Sequence, residues 1–252
     1  MRIAALADVH SNEPALLAVL EAIHQQSPDL VLFLGDLVGY NASPNECVNL
    51  VRSACDVVVL GNHDRDVGQQ EPISGTNSVA RIVQDWTRDV LSSTSKQYLN
   101  ELPPLWSDGN LNAVHGCFLN DRYYCGYVTG TMLDYNLQAL STWSKADEHA
   151  PIIGFCGHTH IPMLGFLAAE RYVEPQVRGV LQWPRTAVSV LINPGSVGQP
   201  RDGDQRAAFA IIDTERREVE VHRVDYDVER ACAAITAAGL PISLSERLRE
   251  GR

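Results

Sequence analysis

Seven side chains of this sequence are oxygen and nitrogen donors of the kind that bind divalent metal ions: Asp8, His10, Asp36, Asn62, His115, His158 and His160. Their placement sets them apart from scattered polar residues, because each follows the end of a short apolar run. Asp8 and His10 follow residues 3–7, Gly35-Asp36 follows 30–34, and Gly61-Asn62-His63-Asp64 follows 57–60. His115-Gly116 follows 111–114, and Gly157-His158-Thr159-His160 follows 152–156. In α/β sheets the carboxyl ends of strands are where ligands bind, and five runs deliver donors at that same end. Glycine beside the donors lets the chain leave a strand sharply and lets neighbouring backbones crowd together.

Two carboxylates, one amide and four imidazoles are more donors than one catalytic ion uses. Divided between two ions with one carboxylate shared, they leave positions for water and substrate. Mixed oxygen and imidazole donors suit zinc, manganese, iron, cobalt or nickel. Two divalent ions against two carboxylates leave a local charge of about +2, or about +1 with hydroxide bound. Such a pocket attracts an anion even though the formal charge of the chain is −11.

The elements that must hold these donors are legible in the periodicity. Residues 3–7, 30–34 and 57–60 have strand length. Between them Ala15, Leu16, Val19, Leu20 and Ile23 keep helical spacing behind Pro14, and Ser43-Pro44 opens a second helix carrying Val48 and Val51. Strands alternating with helices predict a parallel sheet wrapped by helices. Residues 78–91 and 95–102 read as helices in an insertion over about 65–104, expected to cover the site and stopped by Pro103-Pro104. Beyond it, runs at 111–114, 152–156, 163–167, 188–192, 207–212 and 219–224 predict a mostly antiparallel second half. A helical tail is expected over about 227–252, broken at Gly239-Leu240-Pro241. No linker or repeat divides the chain, so residues 1–252 are expected to form one domain.

Composition narrows the partners. At 252 residues, 45% hydrophobic and 20% charged, the chain can bury a real core and has no disorder signature. Its acidic balance repels nucleic acid and anionic membrane. No stretch approaches the roughly 20 apolar residues of a membrane helix, and Asp8 interrupts the N-terminal run too early for a signal peptide. A soluble cytoplasmic protein is the expectation. The six cysteines form no C-x-x-C pair and read as reduced thiols. His24, His149 and His222 lack any ligand-like neighbourhood and read as structural or solvent-exposed.

In order and spacing, Asp8-x-His10, Gly35-Asp36-x-x-Gly39, Gly61-Asn62-His63-Asp64, His115 and Gly157-His158-x-His160 resemble the motif series of the calcineurin-like metallophosphoesterase superfamily. The segment Asn193-Pro194-Gly195-Ser196-Val197 resembles a later element of its small bacterial and archaeal phosphodiesterase-like branch, though as a sequence it is chiefly a turn signal. The resemblance implies an α/β fold, the metallo-dependent phosphatase-like four-layer α-β-β-α sandwich with a helical insertion. It implies one divalent ion held by Asp8, His10, Asp36 and His160, and a second held by Asp36, Asn62, His115 and His158, with Asp36 bridging. It also implies a metal-bridging hydroxide that attacks phosphorus in line. His63 would stabilise the transferring group or protonate the leaving oxygen, and Asp64 would orient His63. Some relatives carry Asp-Arg-Gly at the second motif; Gly35-Asp36-Leu37-Val38-Gly39-Tyr40 lacks that arginine, and Arg65 or Arg201 are the candidates to replace it.

The expected function is therefore metal-dependent hydrolysis of a small phosphate ester, a diester before a monoester, with nucleotide-derived esters as the substrate class. The alternatives are a nuclease, which the acidic charge disfavours, and a non-catalytic metal-binding scaffold of the same fold. A scaffold need not keep every ligand, whereas here the set is complete. Substrate, native metal and oligomeric state are not written in the sequence.

Overall fold

The computed structural model describes every residue apart from 69–77, 144–145, 170, 175–176 and 178. In chain order its elements begin with β1 (Arg2–Leu6), α1 (Glu13–Gln26), β2 (Leu30–Phe33), α2 (Pro44–Ala54), β3 (Val57–Val58) and α3 (Asn62–Gly68). There follow α4 (Ser78–Val90), α5 (Ser93–Glu101), β4 (Leu105–Asp108), β5 (Leu111–Val114), α6 (Thr131–Ser141) and β6 (Ile152–Phe155). The chain closes with β7 (Met163–Leu167), β8 (Arg171–Glu174), β9 (Gly179–Gln182), β10 (Ser189–Asn193), β11 (Ala207–Asp213), β12 (Glu218–Val224), α7 (Val228–Ala237) and α8 (Ser243–Glu250).

Two six-stranded sheets stack face to face. The first runs β3-β2-β1-β11-β12-β9 and the second β4-β5-β6-β10-β7-β8. The period of two along each strand sorts side chains between the layers. Ile3, Ala5 and Ala7 point inward with Leu32 and Leu34, and meet Phe155, Leu164, Val190 and Ile192 of the second sheet. Ala4, Leu6 and Phe33 point outward onto Leu16, Val19, Val48 and Val51 of α1 and α2. On the far side Val114, Ile152 and Leu191 pack under Leu133, Leu137 and Leu140 of α6. The result is the expected four-layer helix–sheet–sheet–helix sandwich. Phe33, Phe155 and Phe209 are fully buried, and burial of each contributes about 2–3 kcal/mol.

Local chemistry places the helices. Asn12 caps α1, its side chain accepting from the Ala15 amide at 3.2 Å, and Pro14 occupies the first turn where its missing N–H costs nothing. Pro44 does the same for α2.

The second half is mostly antiparallel as expected, but it is not a single sheet. Its strands divide between the two sheets, and β5, β6 and β10 run parallel to one another. The β5-to-β6 connection contains α6, a crossover helix that the sequence reading passed over, and such a crossover is what permits parallel neighbours. The other pairings are antiparallel: β4 with β5, β7 with β8 and β10, and β12 with β9 and β11, the last of which attaches to β1. Of the expected insertion, α3, α4 and α5 are described, while 69–77 lie outside the described residues. All six cysteines are free thiols. Among the described residues no helix is long and apolar enough to cross a membrane.

The parallel strands β1, β2 and β3 of one sheet and β5 and β6 of the other end at the same seam. Crowding there explains Gly61: a Cβ on it would lie 2.1 Å from the Asp36 amide nitrogen and 2.2 Å from Asp36 Oδ1. Gly61→Ala must push β3 away from Asp36 and is expected to destabilise the protein by about 3 kcal/mol or more. Urea unfolding measures this; an unchanged midpoint would mean that the seam is looser than its geometry.

Candidate metal centre

The seam gathers all seven donors, and the backbone that carries them is under strain. Asp8, His10, Asp36, His158 and His160 all have positive φ, between +48° and +68°, and Ser11 and Tyr40 beside them do too. Non-glycine residues rarely adopt this region, and clusters of such strain mark functional sites. What holds them there is a set of main-chain bonds between loops: Asp8 N to Gly35 O at 3.0 Å, His10 N to Asp36 O at 3.0 Å and Gly157 N to His115 O at 2.8 Å.

Around one centre stand Asp8 Oδ1, His10 Nε2 and His160 Nε2, with the two imidazole nitrogens 3.1 Å apart and Asp8 Oδ1 3.3 Å from His160. Around the other stand Asp36 Oδ2, Asn62 Oδ1 and His158 Nδ1, which lie 3.2, 3.1 and 3.0 Å from His115 Nε2. Asp36 Oδ2 is also 3.7 Å from His10 Nε2, so it stands between the two groups.

These donors fit divalent ions on their own chemistry. His10 Nδ1 donates to Val38 O at 3.1 Å, and His160 Nδ1 donates to Gln199 O. A carbonyl can only accept, so each ring carries its proton on Nδ1 and turns the Nε2 lone pair inward. Burial holds both imidazoles well below their usual pKa, hence neutral. Two lone pairs facing each other at 3.1 Å repel unless a cation lies between them. Donor atoms about 3.0–3.4 Å apart are also the spacing set by metal bonds of about 2.1 Å. His115 Nδ1 is tied to Leu34 O at 2.8 Å in the same manner.

The charges point the same way. Burial drives Asp8 up to about 8, against the pull of His115 and with the push of Asp36. Burial acts against the Asp36 charge too, but His115 and His63 beside it win and hold its carboxyl well below the usual range. For His115 burial is outweighed by Asp36, lifting the ring to about 9, while burial and then His115 hold His158 down to about 3. Without metal the cluster therefore balances its charge by keeping protons, and a bound divalent cation would displace them.

Of the two expected catalytic residues, His63 lies against His10, ring centres 4.9 Å apart, and burial lowers its pKa. Asp64 differs from its expected part. Its carboxylate accepts from the amides of Leu37 at 2.9 Å, Val38 at 3.0 Å and Gly61 at 3.1 Å, and among the described residues it makes no hydrogen bond to His63. Two amides beyond β2 and one beyond β3 claim it first. The ring contact of His63 is instead Gln84 of α4, whose Nε2 lies 3.4 Å from His63 Nδ1. Gly39 leaves room for that ring, since a Cβ there would lie 2.7 Å from His63 Nδ1.

The two arginines part company. Arg201 N donates to His160 O at 3.4 Å, and its charge is felt by Asp8, His10 and His160. Arg65 stacks over Tyr124 at 4.7 Å and lies 3.8 Å from Asp66. The Asn193-Pro194-Gly195-Ser196-Val197 turn joins the donor loops. Asn193 Nδ2 donates to Gly157 O at 2.7 Å, Ser196 Oγ donates to Asp8 O at 2.9 Å, and Val197 N donates to Ala7 O at 2.9 Å. Sequence reasoning overlooks Gln84 and Gln199, and assigns no role to Tyr40 and Tyr127, which as aromatics could line a substrate cleft. Tyr127 stacks on His158 with ring centres 4.2 Å apart. Only the position of Tyr40, one residue beyond Gly39, could have flagged any of these.

Residues 1–217 match the family model described as the calcineurin-like phosphoesterase superfamily domain. An uncharacterized protein of Methanocaldococcus jannaschii is 35% identical over 250 residues, 99% of this chain and 98% of its own. The crystal structure of a metallophosphoesterase from Sphaerobacter thermophilus aligns with a TM-score of 0.82 at 36% identity, covering 100% of this chain and 99% of that one. A hypothetical protein from Pyrococcus horikoshii shares the fold, with a TM-score of 0.79 at 19% identity over 100% of this chain and 98% of that one.

If Asp64 braces the amides, Asp64→Ala should cost about 3 kcal/mol or more of unfolding free energy in metal-free protein, while His63→Ala costs little. Equal melting of the two variants would return Asp64 to the orienting part.

Proposed function

We propose that this chain, which belongs to the calcineurin-like phosphoesterase superfamily, hydrolyses a small phosphodiester with two divalent metal ions held at the seam. The facing Nε2 lone pairs of His10 and His160, 3.1 Å apart with both Nδ1 atoms committed to carbonyls, carry this reading. One ion is assigned to Asp8, His10, Asp36 and His160, and the other to Asp36, Asn62, His115 and His158. When bound, such ions supply a water of lowered pKa and stabilise charge on the phosphoryl group. Zinc, manganese, iron, cobalt and nickel all suit the donors.

The protein's own residues do the rest. Gln84 offers an N–H to His63 Nδ1, which leaves the proton of that neutral ring on Nε2, ready for a leaving oxygen. Arg201 attracts and orients the phosphoryl oxygens in place of the arginine absent from the second motif. Asp64 keeps the loop carrying Leu37 and Val38 in place. The likeness of the Asn193-to-Val197 turn to the phosphodiesterase-like branch supports a diester over a monoester. Free thiols and an acidic surface accord with a cytoplasmic enzyme.

Paired aryl phosphate mono- and diesters, assayed after chelation and readdition of manganese, zinc, nickel or magnesium, test the proposal. Metal-dependent turnover favouring the diester is expected. No turnover with any ion, in folded protein shown to bind metal, would favour the scaffold. His63→Ala should keep its metal and lose about 100-fold or more in turnover. Asp36→Asn should lose more, and elemental analysis should find both ions depleted; normal metal content with near-normal turnover would remove Asp36 from the bridging position.

A further inference from the structure

The C-terminal helix α8 carries Arg247 to the wall that Tyr40 forms beside the donors. The guanidinium carbon lies 5.5 Å from the centre of the Tyr40 ring, and that ring lies 4.6 Å from His10 and 4.8 Å from His63. Arg247 Nε donates to the main-chain oxygen of Arg252 at 2.9 Å, which steadies the fork against the Tyr40 ring. Arg201 approaches the donors from the loop between β10 and β11, where its amide donates to His160 O. Its Nη2 lies 3.4 Å from Gln199 Oε1, while its Nε is buried without a hydrogen-bond partner. Gln199 is 1% exposed, and its Nε2 is buried and unpartnered as well.

Arg206, Arg223, Arg230 and Arg249 each pair with a carboxylate. Among the described residues no side-chain carboxylate is ion-paired with Arg201 or Arg247. Burial first, and then the like charge of Arg201, hold Arg247 below the usual arginine value. A planar donor fork together with a buried amide N–H that has no partner suits a carboxylate or phosphate group. The family match ends at residue 217, so Arg247 belongs to this chain's tail rather than to the shared motif series.

We propose that Arg247, with the Gln199 amide, forms a second anion subsite beside the metal centre, next to the Arg201 that orients the scissile group. It selects phosphate esters that carry a further anionic group, phosphate or carboxylate, beyond the one hydrolysed. The inference rests on the phosphoesterase reading, which puts the scissile group at the metals.

The test is calorimetric binding of matched phosphonates to the manganese-loaded protein: propylphosphonate, 3-phosphonopropionate and propane-1,3-bisphosphonate. Wild type is expected to bind at least one of the doubly anionic ligands about tenfold or more tighter than propylphosphonate, as a charge-assisted bond predicts. Whichever is tighter identifies the second group as carboxylate or phosphate. Arg247→Gln should erase that preference while leaving propylphosphonate affinity, metal content and melting temperature unchanged, and Arg247→Lys should keep part of it. A purely structural Arg247 would shift all three ligands together. Absence of the preference in wild type, or its survival in Arg247→Gln, overturns the subsite and leaves the phosphoesterase reading standing. Failure of wild type to bind any of the three overturns both.

Discussion

A carboxylate or an imidazole taken out of water needs a partner, and six of them share one buried space at the seam between the sheets. The cost of burying a bare ion is several kcal/mol even after relaxation. Here Asp8 and Asp36 are 0% and 1% exposed, and three of the four imidazoles around them, His10, His115 and His160, have one nitrogen already committed to a backbone carbonyl. The remaining lone pairs converge. Each strained φ adds about 1–3 kcal/mol, and such residues persist only where their surroundings over-determine them. The loop-to-loop main-chain bonds, the Asp64 carboxylate and the Asn193–Ser196 turn supply that over-determination. Much of the polar chemistry of the fold serves to keep these donors from relaxing apart.

The two sheets contribute unequally. The first delivers both carboxylates and Asn62, and the second delivers His115, His158 and His160, while His10 returns on the first. Neither sheet holds a complete donor set, so the inward apolar faces are as much a part of the site as its ligands. Ile3, Ala5 and Leu34 against Phe155 and Ile192 fix the distance between the sheets, and that distance fixes whether His10 and His160 face each other.

The donor set was legible in the sequence because each donor closes an apolar run, and the sheet geometry turns that linear rule into a shared location. The outer helices were legible for a similar reason, since their caps and apolar spacing are local. What stayed hidden is non-local. Asp64 sits beside His63 in the chain, yet its nearest donors in space are the Leu37, Val38 and Gly61 amides. Gln84 reaches His63 across 21 residues and Arg247 reaches Tyr40 across some 200, and no spacing rule links such pairs. The parallel pairing of β5, β6 and β10 was missed because periodicity reports which face of a strand is buried and is silent on which way its neighbour runs.

The position of β1 has a consequence for how the protein is made. β1 pairs with β2 on one side and with β11 on the other. Its first neighbour leaves the ribosome almost at once, but Ala207–Asp213 follows about 200 residues behind, a delay of roughly 10–40 s at common synthesis rates. Throughout that interval the first sheet has an unpaired edge, apolar from Ile3 to Leu6, the kind of template on which chains aggregate. Asp8, at the end of that edge, is a charged residue where a growing chain has most need of one. A carboxylate that ends up fully buried spends the chain's synthesis in water, guarding the strand it follows.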